Sequence, residues 1–168
     1  SCTLALRDEL PALRNNHDAK DVASATFTFE ELLARDKPSL SLSSNKSKAL
    51  LHGHCHQKAF DAVRPIEEVL SWIDGLEVEK IETSCCGMAG AFGYGADNFD
   101  ISMKMASANL LPRILEASPE TMIIADGTSC RCQIKDGTTR DAKHVAILLD
   151  ELMRAADDSL TTKSNTRL

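Results

Sequence analysis

Five of the six cysteines closely follow three segments that are predicted to be β-strands. Cys55 comes after the first strand, Cys85 and Cys86 come after the second, and Cys130 and Cys132 come after the third. If these strands are parallel, their carboxyl ends meet at one edge of a sheet, where open α/β folds build their sites. Thiolates are soft ligands that suit iron–sulfur clusters or zinc far better than magnesium or calcium. The spacing therefore predicts a metal or redox centre at that edge.

The first of the three segments, residues 52–56, combines one cysteine with three histidines. Cys55 is its candidate thiolate ligand. His56 is a candidate either for a ligand or for a residue that donates a hydrogen bond to a sulfur of the centre. His52 and His54 share one face of an extended chain. The alternative is that these histidines are ordinary polar residues of the turn after a strand.

The second segment has two adjacent cysteines followed by several glycines. The Cα atoms of Cys85 and Cys86 lie about 3.8 Å apart, which is shorter than the roughly 4.4–6.8 Å of an ordinary disulfide. A bond between them would be strained, whereas two neighbouring thiolates can serve one cluster if the chain turns sharply at Gly87. Gly90 would let backbone N–H groups approach the cluster. A phosphate-binding loop is the competing interpretation, but the glycine spacing fits neither the dinucleotide fingerprint nor the P-loop.

The third segment, residues 126–134, has two cysteines on either side of an arginine. Cys130 stands where the first ligand after a strand is expected. Cys132 can share the same metal, although its spacing is less common than Cys-x-x-Cys, and a plain thiol is the alternative. Arg131 is a candidate for stabilising an anionic cluster, or else a solvated charge.

Hydrophobic periodicity indicates the elements that position these segments. Strands that alternate with helices imply a parallel sheet with right-handed crossovers. We therefore expect the α/β class, with a small parallel sheet flanked by helices and the cysteines at the carboxyl ends of the strands. Pro112 should bend the fourth helix. The expected helices cover residues 3–13, 22–33, 64–74, 97–115 and 144–156, and the expected strands cover 49–54, 77–83 and 121–126.

Composition excludes several classes of function. The chain has 168 residues, a formal net charge of −6 and no basic cluster, so nucleic acid is not an expected partner. No apolar run approaches the roughly 20 residues of a membrane-spanning helix. Six cysteines without a secretory signal favour metal or redox chemistry over structural disulfides. We expect a cytoplasmic protein, with peripheral attachment to a membrane left open.

The three cysteine segments together resemble the cysteine-rich CCG domain. The matching stretches are HGHCHQKAF from His52, SCCGMAGAFGY from Ser84 and GTSCRCQI from Gly127. That domain occurs in the cysteine-rich subunit of heterodisulfide reductase and in the iron–sulfur subunits of glycolate oxidase and anaerobic glycerol-3-phosphate dehydrogenase. The three stretches are most similar to the carboxy-terminal end of fused FAD-linked oxidases of the D-2-hydroxyacid dehydrogenase type.

The resemblance implies a [4Fe–4S] cluster, which is noncubane in the heterodisulfide reductases. The chain departs from the family at the last motif, where Gln133 occupies the final position of Cys-x-x-Cys and Cys132 precedes it. A five-cysteine noncubane cluster therefore competes with an ordinary cluster or a zinc site. The matching ligand positions are Cys55, Cys85, Cys86 and Cys130.

The resemblance also implies a division of the chain, because CCG domains usually occur in tandem. The pair Ser1-Cys2 echoes Ser84-Cys85, so we expect the carboxy-terminal piece of a longer protein. Residues 1–48 would be the helical remainder of a preceding repeat plus a linker, 49–156 the CCG domain, and 157–168 a disordered tail. The expected partners are the preceding repeat, the flavin domain of the parent chain with its FAD, and an electron acceptor.

The leading hypothesis for function is electron transfer in an FAD-linked oxidoreductase that acts on a 2-hydroxyacid, with the cluster passing electrons from flavin to a further acceptor. Such a domain is not expected to be catalytic alone. Two alternatives stay open. One is a structural zinc module with four thiolates, or three plus His56; the other is a thiol–disulfide redox domain that reacts through Cys85 or Cys86.

Overall fold

A computed structural model of the chain describes residues 2–83 and 85–165, with side chains described as far as Ala156. Short strands alternate with helices along this part of the chain. The helices are α1 (Cys2–Arg7), α2 (Glu9–Leu13), α3 (His17–Ser24), α4 (Phe29–Asp36), α5 (Cys55–Ala59), α6 (Arg64–Leu70), α7 (Phe99–Ala108), α8 (Leu110–Glu116), α9 (Thr128–Thr138) and α10 (Val145–Asn165). The strands are β1 (Leu42–Ser43), β2 (Lys48–Leu51), β3 (Ile73–Asp74), β4 (Glu77–Lys80), β5 (Met122–Ile124) and β6 (Ala142–Lys143).

Four of the strands form one parallel sheet in the order β4-β2-β5-β6. In β2, Leu50 lies opposite Glu79 of β4 on one side and Ile123 of β5 on the other. β5 pairs in turn with β6, and β1 and β3 form a separate parallel pair. The expected α/β class, with a small parallel sheet flanked by helices, is confirmed.

The sheet carries a hydrophobic core on each face, because side chains alternate along a strand. Leu51 and Ile124 pack in one core with residues of α6 and α10. Leu50 and Ile123 pack in the other core with residues of α8 and α9. Residues just beyond the strand ends follow the same alternation, so each face leads to its own group of polar side chains at the carboxyl edge.

Two of the expected helices are each divided into two helices, and each division is explained by a proline. The first expected helix is divided into α1 and α2, with α1 ending at Arg7, one turn before Pro11. The helix expected around Pro112 is divided into α7 and α8, with α7 ending at Ala108. A proline ring clashes with the carbonyl of the residue one turn earlier and removes a hydrogen bond there. The helix therefore ends at that residue and does not simply bend at the proline.

The helix expected over 22–33 is likewise two helices, and each has its own amino-terminal cap. The Asn16 side chain accepts a hydrogen bond from the Ala19 N–H at the start of α3. At the start of α4, Thr28 and Glu31 form a capping box. These caps satisfy backbone donors locally, so the chain begins a new helix at residue 29.

Several elements were not predicted. The strands β1, β3 and β6 contain two residues each, too few to show a periodic pattern. No element was predicted for the residues that form α9, which contains Cys130. The helix α10 continues to Asn165, past the end expected at Ala156 and into the segment 157–168 for which disorder is predicted; residues 166–168 lie outside the described part. Among the described helices, none is both long enough and apolar enough to span a lipid bilayer.

Candidate metal centre

The carboxyl edge of the four-stranded sheet gathers the cysteine segments, as predicted. Cys55 opens α5 after β2, Cys85 and Cys86 lie in the loop after β4, and Cys130 lies in the first turn of α9 after β5. The strand order β4-β2-β5 places these three segments side by side. All six cysteines of the chain are free thiols.

Three buried side chains converge at this edge: His52, Cys86 and Cys130. Each offers a ligand atom that lies within 4.8 Å of the ligand atoms of the other two. The three residues are 1 %, 4 % and 1 % exposed, respectively. Two thiols with one imidazole form a soft to borderline donor set, which suits zinc or iron. We call this group the thiol pocket.

The extended backbone conformation of β2 continues for one residue past the end of the strand, and it directs the His52 side chain into the thiol pocket. The His52 N–H donates to the Ile124 carbonyl at 2.8 Å, which continues the ladder between β2 and β5. His52 therefore shares a face with Leu50, two residues earlier. The structure brings His52 to the thiols, whereas the sequence analysis selected His56. The signal in the sequence was the alternation Leu50, His52 at the end of a strand.

A tight turn at Gly87 directs Cys86 inward. Gly87 has a φ of +90°, and a Cβ atom there would lie 2.1 Å from the backbone oxygen of Ser102 in α7. Only glycine permits both the conformation and the close approach. Gly90 also has a positive φ, of +72°, but a Cβ atom there would meet open space. Of the two predicted glycines, Gly87 is therefore the one that packing requires.

Gln133 joins α9, which carries the third cysteine segment, to α7. Its side-chain amide donates to the carbonyl of the buried Ser102 at 3.3 Å and to the hydroxyl at 3.0 Å. Gln133 lies nearly one helical turn after Cys130, so both side chains lie on the buried face of α9. The residue that departs from the Cys-x-x-Cys pattern thereby ties α9 to the residue against which Gly87 packs.

Cys55 and Cys85 lie on the outer side of the thiol pocket. Cys55 is exposed and Cys85 is half-buried. The Gly87 N–H donates to the Cys85 sulfur at 3.3 Å. Partial burial raises the pKa of Cys55, and the neighbouring Cys85 raises it further. The thiols of Cys55 and Cys85 are therefore close enough for the charge on one to disfavour ionisation of the other.

The buried thiols Cys86 and Cys130 shift each other's pKa in opposite directions. Interaction with the Cys130 thiol, together with His52, lowers the pKa of Cys86 far below its usual range despite burial. The same interaction with Cys86, and then burial, raises the pKa of Cys130, and the charges of Cys55 and Cys85 add to that shift. Cys86 therefore loses its proton more readily than Cys130.

Cys132 lies apart from the other thiols. It follows Cys130 by two residues in α9, and a helix turns about 200° over two residues. Cys132 accordingly lies beside the exposed Tyr94, and its hydrogen bond to the phenol raises the pKa of Tyr94. The structure does not bring Cys132 to the thiol pocket.

Arg131 and His56, two other predicted site residues, also make contacts away from the thiols. The Arg131 guanidinium donates to the carbonyls of Ala125 at 3.0 Å and Asp126 at 2.6 Å, so it braces the loop between β5 and α9. The His56 ring lies 4.0 Å from the carboxylate of Asp8, and its centroid lies 5.4 Å from that of the Phe60 ring, with the two rings tilted by 45°.

The thiol pocket fits a thiophilic metal ion or cluster. His52 is buried, and neither of its ring nitrogens makes a hydrogen bond of good geometry with a described residue, although the Cys86 thiol is close enough for the imidazole to lower its pKa. Leaving a buried polar group unpaired costs about 1–3 kcal/mol. A metal bond, or a hydrogen bond to a cluster sulfur, would satisfy one of these nitrogens.

Comparison with known proteins finds relatives among dehydrogenases. Over 156 residues, 91 % of the chain, it is 30 % identical to one subunit of the anaerobic glycerol-3-phosphate dehydrogenase of Escherichia coli (strain K12). Over 79 residues, 47 % of the chain, it is 33 % identical to D-2-hydroxyglutarate dehydrogenase of Pantoea ananatis (strain AJ13355). The Escherichia coli (strain K12) D-2-hydroxyglutarate dehydrogenase is 29 % identical over 80 residues. The chain is therefore homologous to a part of each of these proteins.

These similarities concern segments of longer proteins. The chain spans 39 % of the length of the glycerol-3-phosphate dehydrogenase subunit and 8 % of the length of the Pantoea ananatis enzyme. No protein-family model matches the chain, and no solved structure matches it.

Proposed function

We propose that the chain is an iron–sulfur electron-transfer domain of the CCG type, within an FAD-linked oxidoreductase that acts on a 2-hydroxyacid. The observation that carries the proposal is the thiol pocket, where His52, Cys86 and Cys130 converge although they are distant in sequence. The homology to dehydrogenases supports a redox role over a purely structural one.

Four cysteines are the ligand set of this proposal. Cys86 and Cys130 hold the buried side of a [4Fe–4S] cluster, and Cys55 and Cys85 hold its outer side. The fifth thiolate of a noncubane cluster would have to be Cys132, which α9 turns toward Tyr94. The proposed set therefore fits an ordinary cluster better than a noncubane one.

The cluster, when bound, supplies one-electron transfer between FAD in another part of the parent protein and a further acceptor. The residues of this chain contribute the environment. Cys86 and Cys130 lie in an apolar core, which keeps water from that side of the centre. Cys55 is exposed, and it marks the side where electron donors and acceptors approach most closely.

Anaerobic reconstitution of the chain with ferrous iron and sulfide tests the proposal. We expect a brown protein with about four iron and four sulfide ions per chain. Cys86→Ser and Cys130→Ser are expected to lose most of the iron. Cys2→Ser is the matched control, because Cys2 is an exposed thiol of α1. A wild-type chain that stays colourless and free of iron after reconstitution contradicts the proposal.

A structural zinc site is the second candidate, and the imidazole of His52 beside two thiols favours it. Elemental analysis separates the two candidates. One zinc ion per chain, with no visible absorbance and no uptake of iron, would establish the zinc site.

A further inference from the structure

A second group of ionisable side chains lies at the same edge of the sheet. Glu30 of α4, Asp126 after β5 and His144 before α10 each place a ligand atom within 4.8 Å of the other two. They line a cavity of about 310 Å³, together with Thr28 and Ser129. We propose that Glu30, Asp126 and His144 bind a divalent metal ion of the Mn²⁺ or Zn²⁺ type, at a site separate from the thiol pocket. We call these three residues the carboxylate site.

Glu30 is the residue that most needs a bound cation. It is 2 % exposed, and its Oε1 atom has no hydrogen-bond partner among the described residues. Burial, with the charge of Asp126 adding to it, raises the pKa of Glu30 to about 7. Hydrogen bonds from its own backbone and from Thr28 favour the charged form, but they leave Oε1 unpaired. A buried carboxylate oxygen without a partner is unfavourable, and a cation in the cavity would reduce that penalty.

Besides His144, the ionisable base in the described lining of the cavity is His54, whose pKa is lowered chiefly by burial. The same described lining contains no lysine or arginine. His144 Nδ1 lies 3.5 Å from Asp126 Oδ1, but it also accepts a hydrogen bond from the Ala146 N–H at 3.0 Å. Imidazole binds metals in its neutral form. Because Nδ1 has one lone pair, it can bind a metal only if the Ala146 hydrogen bond is given up, and Nε2 is the other available ligand atom.

Hydrogen bonds hold Asp126 in place without exhausting its capacity. Its Oδ1 accepts from the Val145 N–H at 3.0 Å, and its Oδ2 accepts from the Gln57 side chain at 3.1 Å. A carboxylate has about four acceptor positions, so each oxygen retains one for a metal. Contacts of this kind orient the ligands of metal sites.

The donor set defines the class of ion. Carboxylates favour Mn²⁺, and one imidazole admits Zn²⁺. Because metal–ligand bonds are about 2.0–2.2 Å long, small side-chain rotations are enough to bring the three ligand atoms to a common ion. The remaining coordination positions face the cavity, where the hydroxyls of Thr28 and Ser129 lie. Water would therefore complete the coordination.

Titration with Mn²⁺ tests the proposal, because this ion binds thiolates poorly and so avoids the thiol pocket. The whole chain, reduced and freed of metal, is titrated while electron paramagnetic resonance measures the free ion. We expect one saturable site. Glu30→Gln is expected to weaken binding roughly 100-fold, the upper end of the effect of losing even an outer contact. Glu116→Gln, which alters an exposed carboxylate, should bind like the wild type.

Two further measurements keep the site apart from the proposed cluster and from folding defects. Cys86→Ser should lose iron but bind Mn²⁺ normally. Electron spin-echo spectroscopy of the wild-type complex should detect an imidazole nitrogen coupled to Mn²⁺, and His144→Gln should lose that coupling. If Glu30→Gln does not fold, the imidazole coupling in the wild-type complex still tests whether His144 binds the ion. The proposal is overturned if the wild type has no saturable site, if Glu30→Gln or His144→Gln behaves like the wild type, or if Cys86→Ser abolishes binding.

Discussion

The thiol pocket and the carboxylate site share the strands β2 and β5 but differ in what holds them. Cys86 and Cys130 are positioned by a glycine turn and by apolar packing around them. Asp126 is positioned by two hydrogen bonds, from a helix terminus and from Gln57. One sheet edge can therefore present soft ligands on one face and hard ligands on the other, because alternate residues leave a strand in opposite directions.

Gln57 connects the two regions. Its side-chain oxygen accepts from the His54 N–H at 3.1 Å, which caps α5, the helix that begins with Cys55. Its side-chain nitrogen donates to Asp126 at 3.1 Å. Because a glycine turn positions the thiols, we expect substitutions that alter the backbone to affect the thiol pocket most. Because side-chain hydrogen bonds position Asp126, we expect substitutions that remove such bonds to affect the carboxylate site most.

The largest effect is expected from Gly87→Ala. The new Cβ atom would meet the Ser102 carbonyl at 2.1 Å in a backbone with φ of +90°, so the turn must move. We expect the free energy of unfolding to fall by more than about 3 kcal/mol, as measured by urea denaturation. Gly90→Ala is the matched control; it has a positive φ but open space, and should lose only about 1–2 kcal/mol. Equal losses would mean that backbone strain alone decides, without the contact to α7.

The second largest effect is a pH dependence of the free energy of unfolding that arises at the carboxylate site and not at the thiol pocket. The pKa of Glu30 rises from 4.5 to about 7 on folding, so the associated stability is fully present below pH 4.5 and is lost as the pH rises through 7. In metal-free protein the free energy of unfolding should be about 3 kcal/mol lower at pH 8 than at pH 5 on this account. Glu30→Gln should remove that dependence, as urea denaturation in EDTA would show.

The comparison of the wild type with Glu30→Gln also provides the control for this pH effect. Asp126 and His144 face Glu30 in the wild type and face its replacement in the variant, so the difference between the two proteins isolates Glu30. A variant that keeps the full pH dependence would assign the effect to another group.

Replacing each of two glutamines by leucine tests whether the thiol pocket and the carboxylate site are independent. Gln57→Leu leaves Asp126 and the His54 N–H without their partner, so it should cost about 2 kcal/mol and weaken Mn²⁺ binding by about tenfold. Gln133→Leu should instead reduce iron incorporation, because it frees Ser102 beside the Gly87 turn. Metal analysis of both variants checks this. Loss of both metals in either variant would show that the regions are coupled.

The smallest effect is expected at Glu31, which is adjacent to Glu30 but has the opposite behaviour. Burial opposes ionisation, but the hydrogen bonds and charge of Arg7 and the hydrogen bonds with Thr28 together outweigh it and lower the pKa of Glu31. Its stabilising effect is therefore present above the ordinary pKa and is lost as the pH falls. Glu31→Gln should cost about 1 kcal/mol at pH 8, whereas Glu30→Gln should stabilise the metal-free chain at that pH. Thermal denaturation of both variants measures the sign, and equal signs would contradict the assignment.

The strands and the cysteines were predictable because both are local signals. Contiguous apolar residues such as 122–124 marked β5, and three strands with cysteines beyond their ends implied one shared edge. No break was predicted at Pro11, and only a bend was predicted at Pro112, whereas each proline ends a helix one turn earlier. The helix α9 has few apolar residues, so its periodicity was too weak to reveal that Cys130 and Cys132 face different ways.

The chemical character of the sheet edge follows from the amino-acid sequence alone, since segments that follow neighbouring parallel strands lie side by side at that edge. Which side chains meet is a property of the three-dimensional fold, because it depends on the face from which each residue leaves its strand or helix. His52 thereby joins the thiols in place of His56, and Cys132 is turned away from them. Glu30 reaches Asp126 and His144 only because α4 packs beside the sheet edge, a long-range contact that no local pattern encodes.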